Sequence, residues 1–397
     1  KMLVSYTIFA LLLIGCRAEE DFPEDMTPSE LITSNGYPVQ EYTVNTTDGY
    51  ILTLFRIPSG KDGLFEKKKG QRKPAVLLQH GLLCSCWEFI SNTPDKALAY
   101  VLADAGFDVW LGNNRGNIYS NTHVTLTQND TDYWRFSWDQ MAQYDVPAMV
   151  NKITKTTRQR SIYYVGHSQG GLQMFAAGAT NRVLARKIKH FFGLAPILTF
   201  QHSIPFNELL YNFTAGFEYP ETAVADQIYS IPVVNQICTN ETTEECTEFL
   251  SSLFGQSNQI NQERMPHLVA HLPAGTSLQN LEHIEQMANE TKYFDYGTEG
   301  NQAIYESDEA PSYNFTKFKI PTTIYYSAAD ALVTVKDVNN ILDTYSTCTL
   351  GKAVKLTGFS HMDFVWGDRA KAEIYDHIIM DINMFEAKPK FDAEFGI

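Results

Sequence analysis

Short apolar runs punctuate the 397-residue chain and alternate with stretches whose composition suits helices. Residues 75–78, 161–165 and 321–326 are runs rich in apolar, aromatic or β-branched residues, each about as long as one strand. Continuous runs of this kind are typical of strands covered on both faces, as in a parallel sheet between layers of helices. The pattern therefore predicts an α/β fold with a mostly parallel central sheet flanked by helices.

Two features of the pattern predict how the chain is divided. Residues 42–44 and 50–52 flank Asp48-Gly49, which predicts a β-hairpin ahead of the sheet. From about residue 199 to 313, helix-prone pieces, aromatic residues and polar loops replace the alternation of strands and helices. The expected divisions are core segments at residues 19–198 and 314–397, an inserted and mainly helical cap or lid at 199–313, and a closing helix over 369–385.

An apolar run lies at the amino-terminal end. Residues 3–14 follow Lys1-Met2 and precede small residues that end at Ala18. This arrangement resembles the hydrophobic region and cleavage site of a secretory signal, so we predict a signal peptide at residues 1–18. A bilayer span needs about 20 apolar residues, and no other run in the sequence approaches that length, so we expect no transmembrane segment.

Composition narrows the classes of partner and compartment. The formal net charge of −15 disfavours nucleic acid as a partner. Metal-binding spacings such as C-x-x-C or H-E-x-x-H do not occur in the sequence, and we expect neither a metal nor a cofactor. N-glycosylation sequons predict passage through the secretory pathway. They lie at Asn45, Asn129, Asn212, Asn240, Asn289 and Asn314.

The motif G-H-S-Q-G at residues 166–170 provides the first candidate chemistry. It follows a predicted strand and precedes the helix-compatible residues 172–179, which is the setting of a nucleophile elbow. Glycines two positions before and after the serine avoid collisions in a strained turn. We expect Ser168 Oγ to stand exposed at the carboxyl end of a strand and above the amino end of a helix.

A catalytic acid is expected after the nucleophile in the chain. Asp330 leaves the carboxyl end of the strand predicted at residues 321–326. Asp337 is a rival, but its spacing from Thr334 indicates a capping box for a helix over residues 335–344, which is a structural task. We therefore predict Asp330 as the acid.

The base should follow the acid on a further loop. His361 lies directly after a short strand predicted at residues 353–357, whereas His167 lies inside the elbow and the other histidines fall on loops, the cap segment or the terminal helix. We predict that His361 accepts the proton of Ser168, while Asp330 holds the imidazole in the required tautomer.

Negative charge on a substrate carbonyl would require two backbone N–H donors. Gln169, directly after the nucleophile, supplies the first in this prediction, and Leu82, in the loop at residues 79–83, supplies the second. His80 lies in the same loop. A catalytic role for His80 is conceivable, but packing beside a turn permitted by Gly81 is the interpretation that we favour.

Four segments together resemble the acid lipase family of lysosomal acid lipase and gastric lipase. They are QHGLL at residues 79–83, AGFDVWLGNNRG at 105–116, YVGHSQG at 164–170 and HMDF at 361–364. The similarity runs from about residue 27 to the terminal helix. It implies the α/β-hydrolase fold and hydrolysis of triacylglycerols or sterol esters through an acyl-enzyme.

The resemblance also implies roles position by position. Ser168, Asp330 and His361 match the family triad, and Leu82 and Gln169 match its oxyanion hole. The chain departs from the family where Ser-Ala-Ala at residues 327–329 replaces glycines before the acid, and where Gly171 replaces a common threonine. Neither departure removes a catalytic group.

Cysteine usage agrees with an oxidising compartment. Cys238 and Cys246 bracket a short polar loop and match the family's cap disulfide in place. That pairing would leave Cys84, Cys86 and Cys348 free. For Cys84 and Cys86 we expect small buried packing residues rather than reactive thiols.

These expectations describe a secreted or lysosomal carboxylic ester hydrolase of the triacylglycerol lipase or sterol esterase type, acting on neutral lipids at lipid–water interfaces. A cap would suit this role because acyl chains need a pocket while the protein stays soluble. One alternative is an ester hydrolase of the same fold that acts on phospholipids, retinyl esters or signalling lipids. Another is a non-enzymatic lipid carrier, which the complete set of catalytic groups disfavours.

Overall fold

The computed structural model describes residues 26–61, 72–202, 227–228, 238, 243–288, 290–345 and 350–387. The predicted signal peptide at residues 1–18 lies outside these ranges. So do the sequons at Asn212, Asn240 and Asn289, and Cys348.

A mostly parallel sheet forms the centre of the described structure. Its strands are β1 Gln40–Asn45, β2 Tyr50–Ile57, β3 Ala75–Gln79, β4 Asp108–Leu111, β5 Thr122–His123, β6 Ile162–His167, β7 Ile188–Leu194, β10 Thr322–Ser327 and β11 Leu350–Leu356. They lie in the order β1-β2-β4-β3-β6-β7-β10-β11, with β5 paired to β2. Every neighbouring pair from β4 to β11 is parallel, whereas β2 is antiparallel to β1, β4 and β5. The prediction of an α/β fold is confirmed.

The predicted hairpin around Asp48-Gly49 is present. Asn45 of β1 pairs with Ile51 of β2 across the turn. Gly49 has φ 102°, and a Cβ there would lie 2.4 Å from His123 Nε2. The turn therefore requires glycine both for its backbone conformation and for space.

Helices cover the sheet, and its central strands are therefore buried along their whole length. Each residue of β3 and of β6 is buried, which agrees with their continuous apolar sequences. The helices are α1 Pro28–Ser34, α2 Leu98–Asp104, α3 Trp138–Gln140, α4 Val146–Thr157, α5 Gln169–Thr180, α6 Arg182–Ala185, α7 Thr243–Phe254, α8 Met265–Val269, α9 Leu278–Gln286, α10 Gly297–Tyr305, α11 Val335–Tyr345, α12 Asp363–Trp366 and α13 Asp376–Ala387. Among them, α5 packs on β6 and α4 packs on β3.

The chain between β7 and β10 adds α7 to α10 and, in its described part, no strand to the main sheet. The short strands β8 (Gln227–Ile228) and β9 (Thr276–Ser277) pair with each other. At the carboxyl end, the predicted helix over residues 369–385 consists of a π-helical turn at Lys371–Tyr375 followed by α13. No helix in the ranges given above is long and apolar enough to cross a membrane.

Candidate active site

Ser168 joins β6 to α5 in an unusual backbone conformation. Its φ is 53° and its ψ is −119°, a region that residues with a side chain rarely adopt. The flanking glycines make the turn possible, because a Cβ on Gly170 would lie 2.3 Å from the carbonyl oxygen of Gln79, and one on Gly166 would lie 2.7 Å from the carbonyl carbon of Gly170. This close backbone packing fixes the serine at the carboxyl end of β6.

The loops after β10 and β11 bring Asp330 and His361 to Ser168. His361 Nε2 lies 2.8 Å from Ser168 Oγ, and His361 Nδ1 lies 2.9 Å from Asp330 Oδ2. The other carboxylate oxygen of Asp330 accepts the backbone N–H groups of Leu332 and Val333, each at 2.8 Å. With Nδ1–H donating to Asp330, Nε2 accepts from the serine hydroxyl, the arrangement that activates a nucleophilic serine.

Ser168 is buried, contrary to the expectation that it stands exposed. Only 4% of its surface is accessible, and Asp330 and His361 are buried as well. The loop after β3 lies against the serine, since a Cβ on Gly81 would be 3.1 Å from Ser168 Cβ. The elbow motif predicted the position of the serine at the edge of the sheet, but it carried no information about the neighbouring loops.

Asp337 has the structural contacts expected from its spacing. Its backbone N–H donates to Thr334 Oγ1 at 3.2 Å, and Thr334 Oγ1 donates to its carboxylate at 2.7 Å. The same carboxylate accepts from Thr199 Oγ1 and from the backbone N–H of Gln201. Asp330, in contrast, is the carboxylate that contacts His361.

Leu82 and Gln169 lie on the two segments that adjoin Ser168, the loop after β3 and the first turn of α5. Neither backbone N–H donates to another residue of the described ranges. Both are therefore available to an acceptor near Ser168 Oγ, as an oxyanion hole would require.

One carbonyl group of the segment between β7 and β10 contacts both the acid loop and the base loop. Phe254 O, at the end of α7, accepts the backbone N–H of His361 at 2.9 Å and that of Ala331 at 3.4 Å. Gly255 follows with φ 93°, and a Cβ there would lie 2.1 Å from the carbonyl oxygen of Ala329. No pattern in the sequence indicates this contact.

The same segment also contacts Gln169 and the residue that follows Leu82. Ala274 N–H donates to the carbonyl oxygen of Leu83 at 2.6 Å. The buried Asn280 donates to the Gln169 side-chain oxygen at 2.9 Å and accepts the backbone N–H of Trp138 at 2.7 Å. The sequence does not predict this contact of Asn280, because a single asparagine on a helix carries no information about its partners.

His80 serves packing, as its position beside Gly81 suggested. Its Nδ1 donates to the Gly81 carbonyl oxygen at 2.8 Å, and its Nε2 accepts the backbone N–H of Asn114 at 3.0 Å. Burial lowers the pKa of His80. A neutral ring with both nitrogens occupied has no proton-transfer contact with Ser168.

The cysteines divide as expected wherever they are described. Cys238 and Cys246 form a disulfide, while Cys84 and Cys86 are free and buried. Burial raises the pKa of both free thiols, with the Glu88 carboxylate adding to the effect for Cys84. Both are held as thiols and belong to the hydrophobic core, which agrees with the packing role expected for them.

Three sequon asparagines lie on the described surface. Asn45, Asn129 and Asn314 are exposed and thus accessible to a glycan. Within the same ranges of the chain, no group of three or more metal-ligating side chains is assembled.

Comparisons with known proteins agree with this architecture. The sequence matches a family model described as a partial alpha/beta-hydrolase lipase region over residues 28–93, and one described as the alpha/beta hydrolase fold over residues 74–224. Human lipase member K is 39% identical over 90% of this chain and 90% of its own length. Human gastric triacylglycerol lipase is 36% identical over 90% and 91%, and lipase lipl-1 of Caenorhabditis elegans is 39% identical over 89% and 90%.

Solved structures share the fold at much lower identity. A putative lipase from Sulfolobus solfataricus superposes with a TM-score of 0.56 at 16% identity, covering 87% of this chain and 94% of that one. An epoxide hydrolase from Vigna radiata superposes with a TM-score of 0.52 at 14% identity, covering 87% and 98%. The sheet and its flanking helices are thus a framework that carries more than one reaction.

Proposed function

This chain belongs to the acid lipase family of ester hydrolases with the α/β-hydrolase fold, and from that premise we propose that it hydrolyses triacylglycerols or cholesteryl esters through an acyl-enzyme on Ser168. The observation that carries the proposal is the pair of contacts at 2.8 and 2.9 Å that joins Ser168, His361 and Asp330. The names of the relatives favour neutral lipids as substrates, since one of them is a gastric triacylglycerol lipase.

In the proposed reaction, Ser168 Oγ attacks the ester carbonyl carbon while its proton passes to His361 Nε2. Asp330 stabilises the resulting imidazolium without taking its proton. His361 then gives the proton to the departing alcohol oxygen, which leaves the acyl group on Ser168. Water, activated by His361 in the same way, releases the fatty acid and restores the serine hydroxyl.

We assign Leu82 N–H and Gln169 N–H to the oxyanion that forms during each attack. Their positions beside Ser168 and their lack of acceptors among the described residues support this role. Donors that are fixed before the reaction stabilise the developing charge without reorganisation, and the loss of one such donor typically costs about a hundredfold to a thousandfold in kcat.

We assign residues 199–313 to a cap over this site. Supporting contacts come from Phe254, Ala274 and Asn280, each of which hydrogen-bonds to a proposed site residue or to the loop that carries one. The burial of Ser168 also favours a covered site, as a pocket for acyl chains requires. The relatives, the exposed sequons and the disulfide together favour a secreted or lysosomal location.

The test is hydrolysis of emulsified triolein and cholesteryl oleate by the glycosylated protein from about pH 4 to 8, beside Ser168→Ala. Serine-dependent release of fatty acid is the expected result, and the ratio of the two rates ranks the substrates. A fluorophosphonate label lost in Ser168→Ala would identify the nucleophile. If the label binds but neither lipid is cleaved, the chain is an ester hydrolase with another substrate.

Asp330→Asn and Asp337→Asn form a matched pair for the acid. Asp330→Asn leaves His361 in the wrong tautomer and should lower kcat by about ten-thousandfold. Asp337→Asn weakens the contacts at the start of α11 and those with Thr199 and Gln201, and it should lower stability instead. Equal losses of kcat in the two variants would contradict the assignment.

A further inference from the structure

Behind the proposed triad, Glu88 and His167 form a second carboxylate–imidazole contact that the mechanism above does not use. Glu88 lies in the short 3₁₀ helix Cys86–Phe89, and His167 is the last residue of β6. Their exposed fractions are 3% and 1%. His167 Nδ1 lies 3.3 Å from Glu88 Oε2, and His167 Nε2 lies 3.1 Å from the carbonyl oxygen of His361. One imidazole therefore connects Glu88, the elbow and the loop of the proposed base.

Both groups that face the His167 ring are hydrogen-bond acceptors when Glu88 is ionised. A neutral imidazole carries a single N–H and can satisfy only one of them, so a lone pair on its other nitrogen would face oxygen lone pairs. An imidazolium donates from both nitrogens and satisfies the carboxylate and the carbonyl together. In this buried setting, an unmet contact is costly.

We propose that Glu88 and His167 form an imidazolium–carboxylate pair that positions His361 for proton transfer with Ser168. The inference rests on the proposed function, because the position of His361 matters for rate only if it acts as the base. Glu88 and His167 are positioning residues in this scheme and do not touch the substrate.

The surroundings favour this protonation state. Burial alone would lower the pKa of His167, but the Glu88 carboxylate and the contact with the His361 carbonyl raise it above its usual value. Four nearby titratable groups are held neutral, because burial lowers the pKa of His80 and raises those of the Cys84 and Cys86 thiols and the Tyr375 hydroxyl. The His361 ring also faces the pair, with its centroid 5.0 Å from that of the His167 ring. Asp330 contributes a further, smaller stabilisation of the cation.

Deprotonation of the His167 imidazolium should break its contact with the His361 carbonyl. Since the pKa of His167 is raised on folding, the doubly bonded ring is present at acidic pH and is lost as pH rises through the folded-state pKa. The one remaining proton should reside on Nδ1, because an N–H bond to a carboxylate is stronger than one to a carbonyl. Nε2 then has no proton for the His361 carbonyl, and the loop of the proposed base loses this contact at alkaline pH.

Glu88→Gln tests whether the contact with the His361 carbonyl depends on the second proton of the His167 ring. The glutamine amide can donate to Nδ1 of a neutral ring, which leaves Nε2–H on the His361 carbonyl without an additional proton. With a soluble short-chain ester, the alkaline fall in kcat should therefore move to higher pH in Glu88→Gln, each profile being normalised to its own maximum. Glu88→Leu offers no donor, so kcat should fall at every pH, on the order of tenfold to a hundredfold, with a smaller change in KM.

Glu309→Gln is the matched control, because it removes a carboxylate whose side chain is 86% exposed. Its profile should superpose on that of the wild-type protein. An alkaline fall in Glu88→Gln identical to that of the wild type, or a wild-type kcat in Glu88→Leu, would overturn the proposal.

An independent readout is the ¹⁵N spectrum of the histidine rings in the full chain, with His167 assigned by its absence in His167→Gln. His167 should titrate above the ordinary value of about 6.5 in the wild-type protein and become a neutral ring protonated at Nε2 in Glu88→Gln. A neutral His167 across about pH 5 to 8 in the wild type would refute the ion pair. An intact ¹⁵N signature with no serine-dependent hydrolysis would instead refute the proposed function, and with it the positioning role.

Discussion

Gly255→Ala should disturb catalysis from outside the proposed triad. Gly255 follows α7, and a Cβ at this position would lie 2.1 Å from the carbonyl oxygen of Ala329, the residue before Asp330. Phe254, one residue earlier, accepts the backbone N–H groups of His361 and Ala331. A shift on either side of this contact therefore moves the loop of the acid, the loop of the base, or both.

The structure sets the size of the effect. Ordinary van der Waals contact begins near 3.4 Å, so the backbone atoms must separate by about 1.3 Å to admit the methyl group. A misplacement of about 1 Å among reacting groups can lower the rate on the order of a hundredfold. The left-handed φ of 93° adds about 1–2 kcal/mol of backbone strain. We expect kcat to fall by about tenfold to a hundredfold, with a moderate loss of thermal stability.

Gly297→Ala provides the matched control, because Gly297 has φ 73° but no atom within 4 Å of a Cβ. Gly297→Ala should introduce backbone strain but displace no neighbouring atom. The assay is kcat on a soluble ester, scaled to the fraction of protein that a fluorophosphonate titrates, with Tm measured for both variants. If kcat of folded Gly255→Ala stayed within about twofold of Gly297→Ala, the proposed coupling between α7 and the triad loops would be wrong.

Three further changes test the scaffold. Arg115→Gln removes the guanidinium that pairs with the fully buried Asp145 and should lower the free energy of unfolding by about 3–5 kcal/mol at neutral pH. Burial already raises the pKa of Asp145, so the stability of the variant should fall as pH rises above about 4. The loss of Tm relative to the wild type should therefore be larger at pH 8 than at pH 4. Asn280→Ala leaves the Gln169 side-chain oxygen without its donor and should lower the free energy of unfolding by about 1–3 kcal/mol for each unmet group. It should also lower kcat on a soluble ester, and an unchanged kcat would show that Asn280 does not support the oxyanion residue. Replacing both cysteines of the Cys238–Cys246 disulfide, whose members are 8 residues apart, with serine should cost about 2.5 kcal/mol in denaturant unfolding if chain entropy dominates.

Much of the framework follows from local pattern. The continuous apolar runs predicted strands buried on both faces, and the sheet contains them at β3, β6 and β10. The order of Ser168, Asp330 and His361 along the chain placed each on a loop after its own strand. Since parallel strands present their carboxyl ends at one edge, this order was sufficient to predict that the three side chains meet.

Local pattern does not reach contacts between distant segments. The burial of Ser168 depends on the loop after β3, and the contact of Glu88 with His167 joins residues 79 positions apart. Phe254 acts through its carbonyl group, which is the same in every residue, so the side chain gives no indication of the contact. Asn280 and Gly255 are likewise ordinary residues of a helix and of a turn when only their neighbours in sequence are considered.

The sequence by itself therefore determined the class of sheet, the elbow and the order of the proposed catalytic groups, because each of these depends on residue spacing within one strand, turn or helix. The tertiary structure alone decided how deeply the serine is buried and which groups support His361 and Gln169. These features depend on the packing of loops that are remote in sequence, where a hydrogen bond requires atoms to meet within a few tenths of an ångström and leaves no periodic pattern along the chain.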